Sequence, residues 1–206
     1  MKKKQVRNPI QKRSKEKRNR IIAATRKLFN DIGYKETTTH KIAEEAGVSV
    51  GSLYSYFRNK RDILVVIMEG FLNRIFLQHQ SSFEEALTRS KNLEEAVELV
   101  IMRYVEMLED EKRLHKEIFL QAYQDPELRD LYFDNNTMVE FIVEKLKTAY
   151  GDRVEVDDIQ AAAFLLRHGA GAAINFLVQF GSAGSQETIL REIKKMIYRY
   201  FRKEDS

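Results

Sequence analysis

The sequence has 206 residues, of which 43% are hydrophobic and 32% are charged. This balance is typical of a folded soluble protein and excludes global disorder, and the length predicts one or two domains. Cysteine is absent, which excludes disulfide scaffolds, thiolate metal sites and cysteine nucleophiles.

Charge is distributed unevenly along the chain. Residues 1–60 contain 16 lysines and arginines against 5 aspartates and glutamates, whereas residues 61–206 contain 19 against 26. The net charge of +4 therefore combines a strongly basic N-terminal segment with an acidic remainder. Such a segment favours contact with a polyanion, although a solvated lysine-rich surface gives the same composition.

The chain begins with a lysine- and arginine-rich stretch, and we expect residues 1–14 to form a basic flexible tail. A helix follows, since Ile21, Phe29 and Ile32 recur on one face at helical spacing. Gly33 is placed to end that helix, because glycine reaches the positive φ of a helix C-terminus without steric cost.

Residues 38–57 carry the pattern of two short helices joined by a tight turn. Thr38 or Thr39 can cap the first helix and Ser49 the second, because their side-chain oxygens accept hydrogen bonds from the free N–H groups of a first turn. Gly47 between them allows the positive φ of a sharp turn. The pattern predicts a helix-turn-helix, whose second helix fits the major groove of DNA.

Helical periodicity continues to the end of the chain. The further predicted helices begin near Arg61 after an Asn59–Asp62 cap, span Leu93 to Leu108, run from Asp125-Pro126 towards Gly151, cover Asp157 to Gln179, and end with Ile189 to Phe201. The predicted fold is all-α. It consists of an N-terminal three-helix domain with the helix-turn-helix over residues 15–60 and a larger helical bundle over residues 61–206.

The stretch from Ala161 to Phe180 is apolar enough to suggest a membrane helix. Arg167 and His168 lie at its middle, where charge in lipid is costly. We therefore expect a buried helix of a soluble, cytoplasmic protein without membrane contact.

A long set of spaced residues runs through the helix-turn-helix and the helix before it. Its members are Ile21, Ile22, Ala24, Leu28, Phe29, Gly33, Tyr34, Thr38, Thr39, Ile42, Ala43, Ala46, Gly47, Val48, Ser49, Gly51, Leu53, Tyr54, Tyr56, Phe57 and Lys60. This set resembles the DNA-binding domain of the tetracycline-repressor (TetR) family over about residues 15–65. The resemblance implies a dimeric bacterial or archaeal transcription factor, usually a repressor. Such a protein leaves a palindromic double-stranded DNA operator when a small-molecule effector binds its second domain.

The docking geometry of a helix-turn-helix places Val50, Gly51 and Ser52 in the first turn of the recognition helix, which faces base edges. The resemblance adds a base contact by His40, for which a solvated surface histidine is the alternative. It also implies phosphate contacts, which set register rather than specificity, by Thr39, Lys41, Ser49, Tyr54, Tyr56 and Lys60. For Tyr54, packing against the first helix is the alternative.

Aromatic side chains at helical spacing after residue 100 are core residues by default. The bundle also contains polar candidates among apolar neighbours, as ligand sites usually do; they are His115, Arg167, His168 and Asn175. We expect a small, largely apolar effector in a pocket lined by Tyr104, His115, Phe119, Tyr123, Phe141, Phe164 and His168. His168 is the first choice of polar anchor, and a core or interface histidine is its alternative.

Small residues lie along residues 161–173, and Ile189 to Phe201 forms an apolar stripe. By the resemblance, we interpret the last two helices as the interface of a homodimer, with packing inside one monomer as the alternative. Two-fold symmetry then separates two recognition helices by one DNA turn, about 34–36 Å. The helix from Arg61 joins the two domains, and we expect it to transmit effector binding.

None of the HExxH, GxSxG, Walker, GxGxxG or paired ExxH motifs is present in the sequence, and its four histidines are scattered. We therefore expect no enzyme, no catalytic residue, no metal and no cofactor. Two alternatives stay open. One is a DNA-binding protein without sequence preference, and the other is a DNA-binding dimer whose second domain only dimerises or docks another protein.

Overall fold

The computed structural model describes residues 9–133 and 137–203. Regular structure in this part of the chain is helical, which confirms the all-α prediction. The α-helices are α1 (Pro9–Glu36), α2 (Thr39–Glu45), α3 (Val50–Tyr54), α4 (Lys60–Arg89), α5 (Leu93–Asp110), α6 (Lys112–Gln124), α7 (Pro126–Phe133), α8 (Thr137–Tyr150), α9 (Ile159–Leu165), α10 (Ala172–Phe180) and α11 (Gln186–Phe201). A 3₁₀ turn (Gly151–Arg153) follows α8, and a π-helical turn (Leu166–Gly171) separates α9 from α10.

The chain divides into two compact units, and α4 belongs to both. The N-terminal unit ends at Gly70 and the C-terminal unit begins at Phe71, whereas the sequence places the domain boundary after residue 60. The first turns of α4 belong to the N-terminal unit because Ile63, Leu64 and Ile67 are buried there.

Helix α1 begins earlier than the sequence suggests. Pro9 occupies its first position, where the missing N–H costs no hydrogen bond. Residues 9–14, predicted as part of a flexible tail, are therefore helical, and residues 1–8 lie outside the described residues. Gly33, predicted to end this helix, instead kinks it, and helical residues continue to Glu36. Its φ of 82° and ψ of 167° are values that glycine adopts readily.

The predicted helix-turn-helix is present as α2 and α3. Thr38 is the cap of α2, and Ser49 is the cap of α3; each side-chain oxygen accepts a hydrogen bond from a first-turn N–H. Gly47 has a φ of +62° in the turn between them. The local sequence therefore determines the start of both helices and the turn that joins them.

Apolar side chains from α1, α2, α3 and α4 form the core of the N-terminal unit. Ile21, Phe29, Ile42, Leu53 and Ile63 are fully buried. Burial of one such side chain contributes about 1.5–3 kcal/mol. Leu53 therefore anchors α3 to the other three helices.

The C-terminal unit is a bundle of α5 to α11 with the second part of α4. Its core includes Phe83, Val97, Leu146, Ile174 and Phe201, which come from five different helices. The bundle therefore has one continuous apolar interior.

The helix predicted from Asp125 towards Gly151 is in fact two helices, α7 and α8. Residues 134–136 between them lie outside the described residues. Asp125 begins α7 as predicted, because its Oδ1 accepts hydrogen bonds from the N–H groups of Glu127 and Leu128.

The apolar segment Ile159–Phe180 is long and apolar enough to cross a membrane by length and composition, and 39% of its most apolar window is buried. The prediction of a buried helix is therefore correct for only one side of this segment. Phe164, Leu165, Phe176 and Phe180 are between 43% and 58% exposed. One side of this segment belongs to the core and the other is an apolar surface.

We expect Gly47→Ala to lower the free energy of unfolding by about 1–2 kcal/mol, because a non-glycine residue is strained at positive φ. Gly51→Ala is the matched control, since Gly51 is helical and a Cβ there meets nothing within 4 Å. It should be neutral or stabilise by up to about 1 kcal/mol. Urea unfolding measures both, and equal effects would contradict the role given to the turn.

Candidate DNA-binding surface and ligand cavity

The recognition helix α3 presents a small, open surface to solvent. Gly51 is exposed, and a Cβ at this position would meet nothing within 4 Å. Val50 and Ser52 are half-buried on either side of it. The three residues predicted to face bases therefore occupy one turn of helix that a large partner can approach closely.

Two tyrosine hydroxyls join the helix-turn-helix to its neighbours. Tyr54 is 50% exposed, and its Oη lies 3.2 Å from Thr39 Oγ1 at the start of α2. Tyr56 Oη accepts a hydrogen bond of 3.2 Å from Ser14 on α1. Ser14 is absent from the sequence prediction, because only the packing of α1 brings it to this surface.

The other predicted contacts surround the same surface. His40, Lys41 and Ser49 are exposed, and Lys41 Nζ donates to the backbone oxygen of Glu36 at 3.0 Å. Exposed basic side chains of α1 add positive charge to the unit; they are Lys12, Arg13, Lys15, Lys17 and Arg20. An exposed basic surface of this kind attracts phosphate groups.

Lys60 has a structural role that the sequence prediction of a phosphate contact missed. Its Nζ donates to the backbone oxygens of Tyr34 at 2.7 Å and Thr37 at 2.9 Å. It also lies 4.2 Å from the centre of the Tyr34 ring. Burial lowers the pKa of Lys60, while Glu36 opposes this shift. The ammonium therefore ties the end of α1 to the start of α4.

The C-terminal unit contains a cavity of about 190 Å³. Its lining is mostly apolar and includes Ile75, Val100, Ile142, Ile174 and Phe201. These residues come from α4, α5, α8, α10 and α11, so that most of the bundle takes part in the wall.

A hydrogen-bonded cluster supplies the polar part of this cavity. His115, Tyr132 and Asn175 line it, and His115 Nε2 lies 2.6 Å from Tyr132 Oη. Asn175 Nδ2 donates to the same hydroxyl at 3.0 Å, and Gln179 Nε2 lies 3.1 Å from His115 Nδ1. Because an amide nitrogen only donates, Nδ1 of His115 accepts in this arrangement and Nε2 carries the proton.

Burial keeps this cluster uncharged. It lowers the pKa of His115 to about 4 and raises the pKa of Tyr132 and Tyr104. Among the described side chains, Asn175 Oδ1 is buried without a hydrogen-bond donor. At neutral pH the cluster therefore offers neutral hydrogen-bonding groups within an apolar wall.

Three of the seven residues predicted for the pocket line it, namely Tyr104, His115 and Phe119. The other four lie elsewhere: Tyr123 is 53% exposed and Phe164 is 57% exposed, Phe141 packs edge-on against Phe83, and His168 lies against the Phe164 ring. Helical spacing shows that such residues are apolar or aromatic but does not reveal which side of a helix faces the cavity.

Of the polar wall residues, Arg167 and Asn175 are among the polar candidates of the sequence, and both line the cavity. Tyr132 is missing from the predicted pocket. Tyr132 has no comparable signal, since its place in the cluster depends on how α7 packs against α6 and α10.

In the described part of the chain, no group of three or more His, Cys, Asp or Glu side chains is arranged to hold a metal ion. The polar groups of the cavity can bind or orient a ligand. The cluster of His115, Tyr132 and Asn175 is neutral and suits hydrogen bonding, whereas Arg167 brings a positive charge to the wall.

An exposed recognition helix in a basic helix-turn-helix unit, followed by a separate helical bundle, is typical of DNA-binding regulatory proteins. Residues 21–67 match the model of the tetR family of bacterial regulatory proteins. The N-terminal unit therefore contains a tetR-type DNA-binding domain.

Individual relatives agree with this assignment. The transcriptional regulator HbdR of Aromatoleum sp. (strain CIB) is 47% identical over 58 residues, which are 28% of this chain and 25% of HbdR. The fatty acid metabolism regulator protein of Bacillus subtilis (strain 168) is 29% identical over 103 residues, 50% of this chain and 51% of that protein. The chain thus spans about a quarter of the length of one relative and about half of the length of the other.

One solved structure shows the same fold over nearly the whole chain. FadR of Thermus thermophilus, a TetR-family transcriptional repressor in complex with lauroyl-CoA, aligns with a TM-score of 0.67 and 18% identity. The alignment covers 92% of this chain and 97% of that one. The C-terminal bundle therefore shares the fold of that structure.

Lys60→Met should lower stability, whereas Lys41→Met should weaken DNA binding. Loss of the Lys60 hydrogen bonds lowers the free energy of unfolding by about 1–2 kcal/mol, whereas exposed Lys41 contributes less than about 0.5 kcal/mol. If Lys41 contacts a phosphate, its loss reduces the slope of log K against log salt for DNA binding by about 0.9. Urea unfolding and DNA titration separate the two roles, and a salt slope that changes only in Lys60→Met would reverse them.

Histidine burial should make stability sensitive to acid. The folded pKa of His115 is about 4, below the ordinary value of about 6.5, so the unfolded chain binds the proton first. The contribution of neutral His115 to the free energy of unfolding is therefore fully present above about pH 6.5. It falls by about 3 kcal/mol as the pH drops to 4.

His115→Gln removes this titration while keeping a neutral hydrogen-bonding side chain. We expect the unfolding free energy of the variant to depend less steeply on pH between 6.5 and 4 than that of the wild type. Urea unfolding at several pH values measures the difference, and parallel curves would show that His115 is not the group responsible.

Proposed function

We propose that this protein is a homodimeric, sequence-specific transcriptional repressor that leaves its operator when a largely apolar effector occupies the cavity of the C-terminal unit. The observation that carries the proposal is the open turn Val50, Gly51 and Ser52, at the start of a recognition helix in a basic unit. The match of residues 21–67 to the tetR family model supports DNA as the partner. We place its action in the cytoplasm, where that DNA lies.

Direct reading of bases is limited to a few groups. Ser52 can hydrogen-bond a base edge, Val50 can touch a thymine methyl, and Gly51 lets the helix approach closely. We therefore expect the protein to recognise only a short DNA sequence in each half-site. His40 is a further candidate for a base contact. Binding strength comes mainly from phosphate contacts, for which Thr39, Lys41, Ser49, Tyr54 and Tyr56 are the candidates.

Dimerisation supplies the second half-site. The exposed apolar side chains of α9 and α10 provide a surface suited to a second copy of the chain, and Met196 and Tyr200 of α11 add to it with exposures of 53% and 42%. Burying such a surface is favourable in proportion to its apolar area. A two-fold axis through these helices pairs two recognition helices with a palindromic operator.

The effector is inferred from the cavity and from relatives. An apolar wall with a neutral polar cluster suits a hydrocarbon body that carries a hydrogen-bonding group. The structure of FadR from Thermus thermophilus is that of its complex with lauroyl-CoA, and the Bacillus subtilis relative is a fatty acid metabolism regulator protein. We infer that a fatty acyl thioester is the effector class, with its acyl chain in the cavity.

Release requires only a modest coupling between the two sites. A coupling free energy of about 1–3 kcal/mol changes operator affinity by about 5- to 150-fold. Helix α4 is the continuous element that spans the boundary between the units, and we assign the transmission to it.

Binding of the purified protein to the DNA upstream of its own reading frame tests the proposal. A scrambled duplex of equal length is the control, and both are titrated over a salt series. We expect the native fragment to bind at least about 10³-fold more tightly and to stay bound at about 150 mM salt, and lauroyl-CoA to release it.

Each other outcome selects a different function. Equal binding of both duplexes, lost together as salt rises, would support a DNA-binding protein without sequence preference. Specific binding that neither lauroyl-CoA nor other acyl thioesters reverse would support a second domain that only dimerises or docks a protein.

A further inference from the structure

The helix that carries the exposed phenylalanines is interrupted by the π-helical turn Leu166–Gly171. Such turns are rare, hold one residue more than an α-helical turn, and occur frequently at functional sites. At the end of this turn the N–H of Ala172 is directed to the carbonyl of Arg167, five residues back. Gly171 suits this geometry, because a Cβ there would lie only 3.1 Å from the backbone oxygen of Leu166.

One side of the π turn is a wall of the cavity. Leu166, Arg167, Ala170 and Gly171 line it, so four of the six residues of the turn face any ligand inside. Arg167 Nη2 also donates to the backbone oxygen of Tyr132, which belongs to the polar cluster. A ligand that enlarges the cavity therefore acts on the backbone of this turn.

The same turn separates two exposed apolar pairs. Phe164 and Leu165 precede it, and Phe176 and Phe180 follow it. An α-helix turns by about 100° per residue. If the extra residue of the π turn is taken up into regular α-helix, the second pair rotates by about 100° relative to the first. The two pairs therefore share one surface in only one of the two forms.

We propose that the π turn is a two-state element through which the cavity controls the pairing of two subunits. In this proposal the π form pairs the subunits for DNA binding, and a ligand in the cavity favours a continuous α-helix. Rotation of Phe176 and Phe180 away from Phe164 then changes the dimer that presents the recognition helices. This inference rests on the proposed function, because it takes the exposed apolar pairs as the dimer surface.

Two point variants in the same turn test the switch without a ligand. Gly171→Ala places a methyl group against the Leu166 oxygen in the π form, whereas Gly169→Ala places one where a Cβ meets nothing within 4 Å. We expect Gly171→Ala to weaken binding of the upstream DNA fragment about tenfold. Gly169→Ala should stay within about twofold of the wild type.

Deletion of Gly169 tests the switch in a second way, by fixing the present alignment of the two apolar pairs. Removing one residue converts the π turn to regular α-helix and keeps the two apolar pairs in their present alignment, because the extra residue is gone. The deleted protein should bind the DNA fragment as the wild type does, and lauroyl-CoA should no longer release it. Circular dichroism and gel filtration establish that each variant is folded.

The outcomes distinguish this inference from the proposed function. If Gly171→Ala and Gly169→Ala bind DNA equally, or if the folded deletion variant is released by lauroyl-CoA as readily as the wild type, the switch is refuted and the repressor remains. If lauroyl-CoA fails to release the wild type, the proposed effector is refuted. The two point variants then decide the role of the turn, as they also do if the deletion variant does not fold.

Discussion

The N-terminal unit depends on contacts that stabilise the recognition helix, because this helix is too short to be stable on its own. Helix α3 has five residues, far fewer than an isolated helix needs for stability in water. Its position comes from the buried side chain of Leu53, the cap at Ser49 and the turn at Gly47. Lys60 extends the same support, because it binds the carbonyl groups where α1 ends.

The C-terminal unit solves a different problem, which is to bury polar side chains without burying charge. His115 is almost completely buried, and its neutral imidazole hydrogen-bonds a phenol and an amide side chain in place of water. A buried polar group without partners costs about 1–3 kcal/mol. The cluster therefore needs each of its members, and it gives an apolar cavity a defined place for one polar group of a ligand.

Sequence alone predicted the parts of the fold that local chemistry decides. The caps at Thr38, Ser49 and Asp125, the positive φ of Gly33 and the turn at Gly47 each depend on the chemistry of nearby residues, and the structure contains all of them. Features that depend on packing between distant segments were missed or misplaced. The hydrogen bonds of Lys60 at the end of α1, the side chain of Tyr132 in the cavity, and the exposure of Phe164 all require knowledge of which helices touch.

In the proposed repressor, two recognition helices of one dimer read two adjacent major grooves. Hydroxyl-radical footprinting of the upstream DNA fragment tests this arrangement. We expect two protected segments related by two-fold symmetry, with centres separated by about 10–10.5 base pairs or a multiple of that spacing. A single protected segment without a symmetric partner, or uniform protection along the fragment, would contradict it.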